Sequence, residues 1–250
     1  MTDLRIFGQT FTDVKGIKAT DTDGNEVVYG GGYDWDKFAT KAEPTGDVVL
    51  TVTAVASYSF THMPITSLYS DTVVRIGGQA FQGCQHLKTI DLPAFKQAEG
   101  GANYLFQGCT SLQTANLPLL GYSQGSNFFS GCTALKSVNI PSVTRLQQTF
   151  FYNCSSLPFV DLNENCATIE QNVFNGCRAL QTLVLRRTSV VTLSNINAFT
   201  NSPMRGYGGL SGEIYVPNDL IESYKTASNW ATIFAEGHLT FKPIEGSEYE

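Results

Sequence analysis

The chain has 250 residues, a formal net charge of −6, 42% apolar residues and only 15% charged ones. The apolar share suffices for one core, and the sparse charge means a surface wetted mainly by Ser, Thr, Asn and Gln. The acidic balance argues against a nucleic-acid or anionic-membrane partner, and no segment approaches the roughly 18 apolar residues of a membrane span.

Residues 1–56 read as a small N-terminal β element. The first eight residues hold no basic region leading into an apolar core, so no secretion signal is read there. Leu4–Phe7 and Ile17–Tyr29 carry strand character, with a hairpin turn at 21–25. The Asp and Gly residues of that turn do not fit a calcium loop, because the glycine arrives too early. Tyr33, Trp35 and Phe38 cluster close together, either to dock the chain on a partner or to cover the first coil. Asp47–Val55 reads as a strand running into the repeats, and residues 57–76 as a degenerate first coil built on Phe60.

One pattern then recurs five times: Phe81, Gly83, Cys84 and Leu87; Phe106, Gly108, Cys109 and Leu112; Phe129, Gly131, Cys132 and Leu135; Phe151, Asn153, Cys154 and Leu157; Phe174, Gly176, Cys177 and Leu180. The phenylalanines are 25, 23, 22 and 23 residues apart. A period of that size marks stacked coils, each too small to bury its apolar face alone. The Phe column, extended to Phe199, is expected to form an interior spine, with the apolar residue before each Phe tucked inward. Glycine and asparagine enter left-handed backbone cheaply, so positive φ is expected at Gly83, Gly108, Gly131, Asn153, Gly176 and Asn201. After each leucine comes a strand in which, for example, Ile90 and Leu92 point inward and Asp91 outward; Pro93, Pro118 and Pro141 mark strand ends. Gly101 and Gln124 replace an aliphatic residue, so the coils ending at Phe106 and Phe129 should be looser.

Five of the six cysteines share one column, and Cys166 replaces a valine. Stacking distance alone permits cross-coil disulfides. An odd column whose side chains point in parallel favours reduced thiols serving as small hydrophobes. There is no Cys-x-x-Cys and the three histidines are scattered, so neither a metal nor a cofactor is expected. After the repeats, Glu213–Pro217 reads as a strand, and Asn218 as the N-cap of a helix reaching Thr226. Leu220, Ile221 and Tyr224 should face the last coil, Trp230 and Phe234 should seal it, and His238–Lys242 reads as a further strand. The acidic last residues are expected to be mobile. The expected division is therefore 1–56, 57–212 and 213–250.

The outward strand positions supply the candidate site. One column reads Asp91, Asn116, Asn139, Asp161 and Val184; its neighbour reads Thr89, Thr114, Ser137, Phe159 and Thr182. This polar ribbon suits carbohydrate or protein contacts, or serves only solubility and cross-strand bonding. Phe159 is expected as an exposed aromatic within it. No nucleophile elbow, phosphate loop or paired-carboxylate spacing stands out, so no enzyme is expected.

The repeat resembles the BspA-type leucine-rich repeats of bacterial surface proteins over about residues 57–210, and the stretch from Ile214 to Trp230 looks like that family's C-terminal cap. Residues 4–25 are similar to short β segments of phage and prophage virion proteins. The resemblance implies a repeat solenoid: a right-handed leucine-rich repeat stack of about six coils of 22–25 residues with parallel strands, an N-terminal β element and a C-terminal strand–helix cap. It also implies recognition without catalysis, and carries no fixed ligand residues. With no secretion signal read, the expectation tilts to a phage or prophage virion component, in the tail, baseplate or attached to the capsid. Such a component would bind a protein, a cell-surface glycan or other virion subunits. The alternative is a bacterial cell-surface adhesin or protein-interaction module.

Overall fold

The computed structural model describes residues 46–50, 53–55, 57–98, 103–121 and 125–250, together with the backbone of strands at 4–6, 9–11, 17–20 and 26–29. Strands β1 (Leu4–Ile6) and β2 (Gln9–Phe11) pair antiparallel, as do β3 (Ile17–Thr20) and β4 (Glu26–Tyr29). Each following coil contributes one strand on the broad face, and most add a two-residue strand behind it. In chain order these are β5 (Gly46–Leu50), β6 (Ala54–Val55), β7 (Ile65–Tyr69), β8 (Arg75–Ile76), β9 (Thr89–Asp91), β10 (Gln97–Ala98) and β11 (Thr114–Asn116). They continue as β12 (Ser137–Asn139), β13 (Arg145–Leu146), β14 (Phe159–Leu162), β15 (Thr168–Ile169), β16 (Thr182–Leu185) and β17 (Thr192–Leu193). The end is built from β18 (Gly212–Val216), helices α1 (Ile221–Thr226) and α2 (Trp230–Ala235), and β19 (Leu239–Pro243).

The coil strands pair in parallel, and β3 adds antiparallel to β5. The broad face is two sheets: one of order β12-β11-β9-β7-β5-β3-β4, the other β14-β16-β18-β19. The break falls at Pro158. At the equivalent position of the preceding coils Lys136 N donates to the Gln113 carbonyl and Gln113 N to that of Lys88, at 2.9 and 2.8 Å. Proline has no N–H to continue that series.

Inside, the phenylalanine spine forms as expected. Rings of Phe60, Phe81, Phe106, Phe129, Phe151, Phe174 and Phe199 stack in sequence with centroids 5.0–5.8 Å apart and planes within 19° of parallel. Phe128 and Phe150 stack beside them and meet Phe129 and Phe151 edge-on. All of these rings are buried. Positive φ occurs at all six Gly and Asn positions, between 56° and 81°. At Gly83 space adds to conformation, because a Cβ there would lie 2.2 Å from His62 Nδ1.

A second left-handed column, two residues before the Phe, escaped the sequence reading: Tyr58, Gln79, Tyr104, Asn127, Thr149 and Asn172, at φ of 58–65°. The two columns flank each Phe and aim alternate N–H groups along the stack. Thus the N–H groups of Gln79, Phe81 and Gly83 donate to the carbonyls of Asn103, Leu105 and Gln107 at 2.7–3.1 Å, and the coil at Phe129 repeats the arrangement. The backbone hydrogen bonding of a coil is thereby completed by its neighbour.

The cysteines are free, buried thiols, and they do more than fill space. Sγ of Cys84, Cys109, Cys132, Cys154 and Cys177 donates to the carbonyl of Phe60, Phe81, Phe106, Phe129 and Phe151, one coil back, at 3.0–3.2 Å. Burial pushes Cys109, Cys132, Cys154 and Cys177 above the ordinary thiol value. Cys84 is raised by its contact with Cys109 and by burial. Burial raises Cys166 to about 11.

The C-terminal cap seals the last coil through Trp230. Its ring lies 5.8 Å from Phe199 and its Nε1 donates to the Val191 carbonyl at 2.7 Å. The Tyr224 hydroxyl accepts from Val191 N at 2.9 Å; burial raises that phenol to about 12. Leu220, Ile221 and Phe234 are half-buried against the core. Asn218 is not the expected N-cap. A short 3-10 turn over Asn218–Leu220 precedes α1, and the Asn218 N–H instead donates to Glu245 Oε2 at 2.9 Å. The second strand is β19, parallel to β18. Gly101 and Gln124 lie outside the described residues.

Candidate functional site

The outward strand residues fall into two columns because paired strands are in register. Ser67, Thr89, Thr114 and Ser137 form one; Tyr69, Asp91, Asn116 and Asn139 form the other. On the second sheet they continue as Phe159, Thr182 and Glu213, beside Asp161, Val184 and Tyr215. Strand spacing places successive side chains about 4.8 Å apart.

The two columns differ in availability. Asn139 Nδ2 donates to Asn116 Oδ1, and Asn116 Nδ2 to Asp91 Oδ1, both at 2.7 Å. This amide ladder satisfies itself across strands, as the solubility reading of the ribbon requires. By contrast, the exposed hydroxyls of Thr89, Thr114 and Ser137 have no hydrogen-bond partner among the described residues. Lys88, Gln113 and Lys136 lie exposed beside them.

On the second sheet the ribbon is already engaged. Asp161 accepts from Nε and Nη2 of the Arg186 guanidinium at 2.9–3.1 Å, and that contact raises Arg186. Phe159 is not an exposed aromatic: the Tyr249 ring stacks on it at 5.4 Å, 23° from parallel. Tyr249 also meets Tyr215 edge-on at 4.7 Å. The C-terminal segment, expected to be mobile, therefore lies across β14, β16 and β18. An aromatic ring seated between two others removes apolar surface from water, and that outweighs the conformational freedom lost in ordering the segment. Glu213 receives Lys242 Nζ at 2.5 Å and the Tyr215 hydroxyl at 3.1 Å; Lys242 first, then Tyr215, holds its carboxyl below the usual range.

Tyr33, Trp35 and Phe38 lie outside the described residues. Among the described residues no group of His, Cys, Asp and Glu is placed to hold a metal, and no helix is long and apolar enough to cross a membrane.

The family profile described as BspA type leucine-rich repeat region matches in six copies, over residues 53–181 and 102–205. The chain belongs to the BspA-type leucine-rich repeat family. Leucine-rich repeats of this kind are protein-interaction modules, generally without enzymatic activity, and BspA-like proteins often stand on cell surfaces. Among solved structures the chain is similar to the T. pallidum leucine-rich repeat protein, at 17% identity, over 81% of this chain and 92% of that one, with a TM-score of 0.45. It is also similar to a leucine-rich repeat protein from Bacteroides ovatus ATCC 8483, at 15% identity, 81% and 70% coverage, TM-score 0.40. A third is a leucine-rich cell surface protein from Faecalibacterium prausnitzii A2-165, at 15% identity, 99% and 96% coverage, TM-score 0.35. No curated protein matches the chain.

Proposed function

We propose that this BspA-type solenoid is a non-enzymatic recognition protein that binds a protein partner on its outward strand face. The observation that carries this reading is the in-register column of Thr89, Thr114 and Ser137, whose hydroxyls are exposed and free of partners among the described residues. Three rigid donor–acceptor groups at strand spacing form a pre-organised row, so a partner's polar groups can dock without the entropy cost of ordering a loop.

A screen against host cell-surface proteins and glycans, run with the intact chain and with Thr114→Arg, tests the reading. The substitution inserts bulk and charge at the centre of the row while leaving the interior untouched. Loss of a captured protein partner in Thr114→Arg supports the assignment. Undiminished binding, or capture of glycans alone, overturns it.

Attachment to a phage or prophage particle is the finer part of the proposal, resting on the similarity of residues 4–25 to virion segments. Probing purified particles of a parent phage with antibody tests it; absence of the chain from them leaves display on a bacterial cell surface as the reading.

A further inference from the structure

Past β12 the outward face changes chemistry. Where β9, β11 and β12 present hydroxyls, β14 presents Phe159, and the adjoining column presents Val184 and Tyr215 on β16 and β18. Val184 is fully buried although it is no part of the interior cluster. A contiguous apolar patch outside the core marks a place where something docks. Here that place is taken by the chain's own last residues, with Tyr249 packed on Phe159 and Tyr215 and the Thr182 hydroxyl beside its phenol.

The segment is lightly tethered. Ile244 N donates to the Val216 carbonyl at 3.0 Å, and the Glu245 carboxylate accepts from Asn218 N at 2.9 Å. Beyond these, Gly246, Ser247 and Tyr249 spend their backbone N–H groups within the segment. The cap itself is held by other contacts, those of Trp230 and Tyr224 and the β18–β19 pairing, so the segment can leave while the cap stays folded. Its chemistry is explicit: an aromatic ring among the carboxylates of Glu245, Glu248 and Glu250. Lys242 and Arg186 stand at the patch, each in an ion pair: Lys242 lies over the Tyr215 ring at 5.7 Å and bonds Glu213, and Arg186 bonds Asp161.

We propose that the outward face of β14, β16 and β18 is a receptor site for a short acidic protein segment carrying an aromatic side chain, and that residues 245–250 hold it as an internal occupant which such a partner displaces. The inference rests on the reading of the strand face as the recognition surface and names the partner chemistry at one end of it. Tethering gives the tail an effective concentration in the millimolar range, so only a segment that binds better, or at several points along the ribbon, opens the site.

The test uses a fluorescent peptide of residues 244–250 and its counterpart with alanine in place of the tyrosine, titrated against the intact chain and a chain ending at Ile244. Circular dichroism establishes that the shortened chain remains folded. The peptide should bind the shortened chain at least tenfold more tightly than the intact chain. The alanine counterpart should fail to bind, and Phe159→Ser in the shortened chain should abolish binding. A folded, shortened chain that ignores the peptide, or equal affinity for both chains, overturns the proposal. So does an intact chain that sediments as a dimer and becomes monomeric on shortening, which reassigns the seat to a second copy. The Thr114→Arg screen reads the other half of the ribbon, so failure of this site and failure of the broader reading are distinguishable.

Discussion

Raising the pH from 7.5 to 9.5 should remove most of the stability of this fold. All six cysteines are buried thiols in the folded chain, with Cys166 raised to about 11 and the other five also raised. In the unfolded chain each titrates near the ordinary value of about 8.5. A folded-state pKa above the unfolded one means the stabilisation is complete below about pH 8.5 and drains away as pH rises toward the folded values, because only the unfolded chain releases protons there. At pH 9.5 each of the five thiols held well above that pH, Cys84, Cys109, Cys154, Cys166 and Cys177, has withdrawn about 1.4 kcal/mol, so together they withdraw about 7 kcal/mol, against a typical net stability of about 5–15 kcal/mol. Urea unfolding followed by far-ultraviolet circular dichroism, with reductant present, at pH 7.5, 8.5 and 9.5 measures this as a falling midpoint. Replacing two column members, Cys109→Ala with Cys154→Ala, should reduce the pH-dependent loss by about two-fifths. A midpoint that holds steady to pH 9.5, or an undiminished fall in the double variant, would refute the assignment of the effect to buried thiols.

Phe129→Ala, which removes a ring packed against Phe106, Phe128, Phe150 and Phe151, should cost about 3–5 kcal/mol in urea unfolding. Thr149 holds a β-branched side chain at φ 60°, so Thr149→Asn should stabilise by about 1 kcal/mol, seen as a higher melting temperature. Pro158→Gln restores an N–H at the break between β12 and β14, where Lys136 N and Gln113 N mark the pattern. It should add about 1 kcal/mol and slow amide exchange in β12.

The spine, the left-handed Gly and Asn positions and the order of outward columns were legible in the amino-acid sequence. Each depends on the coil period and on a residue type suited to its position: a ring at a fixed interval must be buried in every coil or in none, and Gly or Asn at a fixed offset reports a backbone need directly. The second left-handed column was illegible because Tyr, Gln, Asn and Thr share no conformational signature; the neighbouring coil imposes that geometry by the hydrogen bonds it accepts. The thiol donors were half legible, as small buried side chains, since a carbonyl one coil back is visible only after stacking.

At the site, periodicity placed Thr89, Thr114 and Ser137 in one row, but it treated Phe159, Asp161 and Thr182 as their equals. Arg186 and Tyr249 changed that, the one neutralising Asp161 and the other covering Phe159. Tyr249 lies 90 residues from Phe159 in the chain, and no repeat rule reaches that far. Local, repeated needs are written in each coil, whereas a single contact between the end of the chain and its middle exists only once the intervening coils have been stacked and the cap has turned the tail back across them.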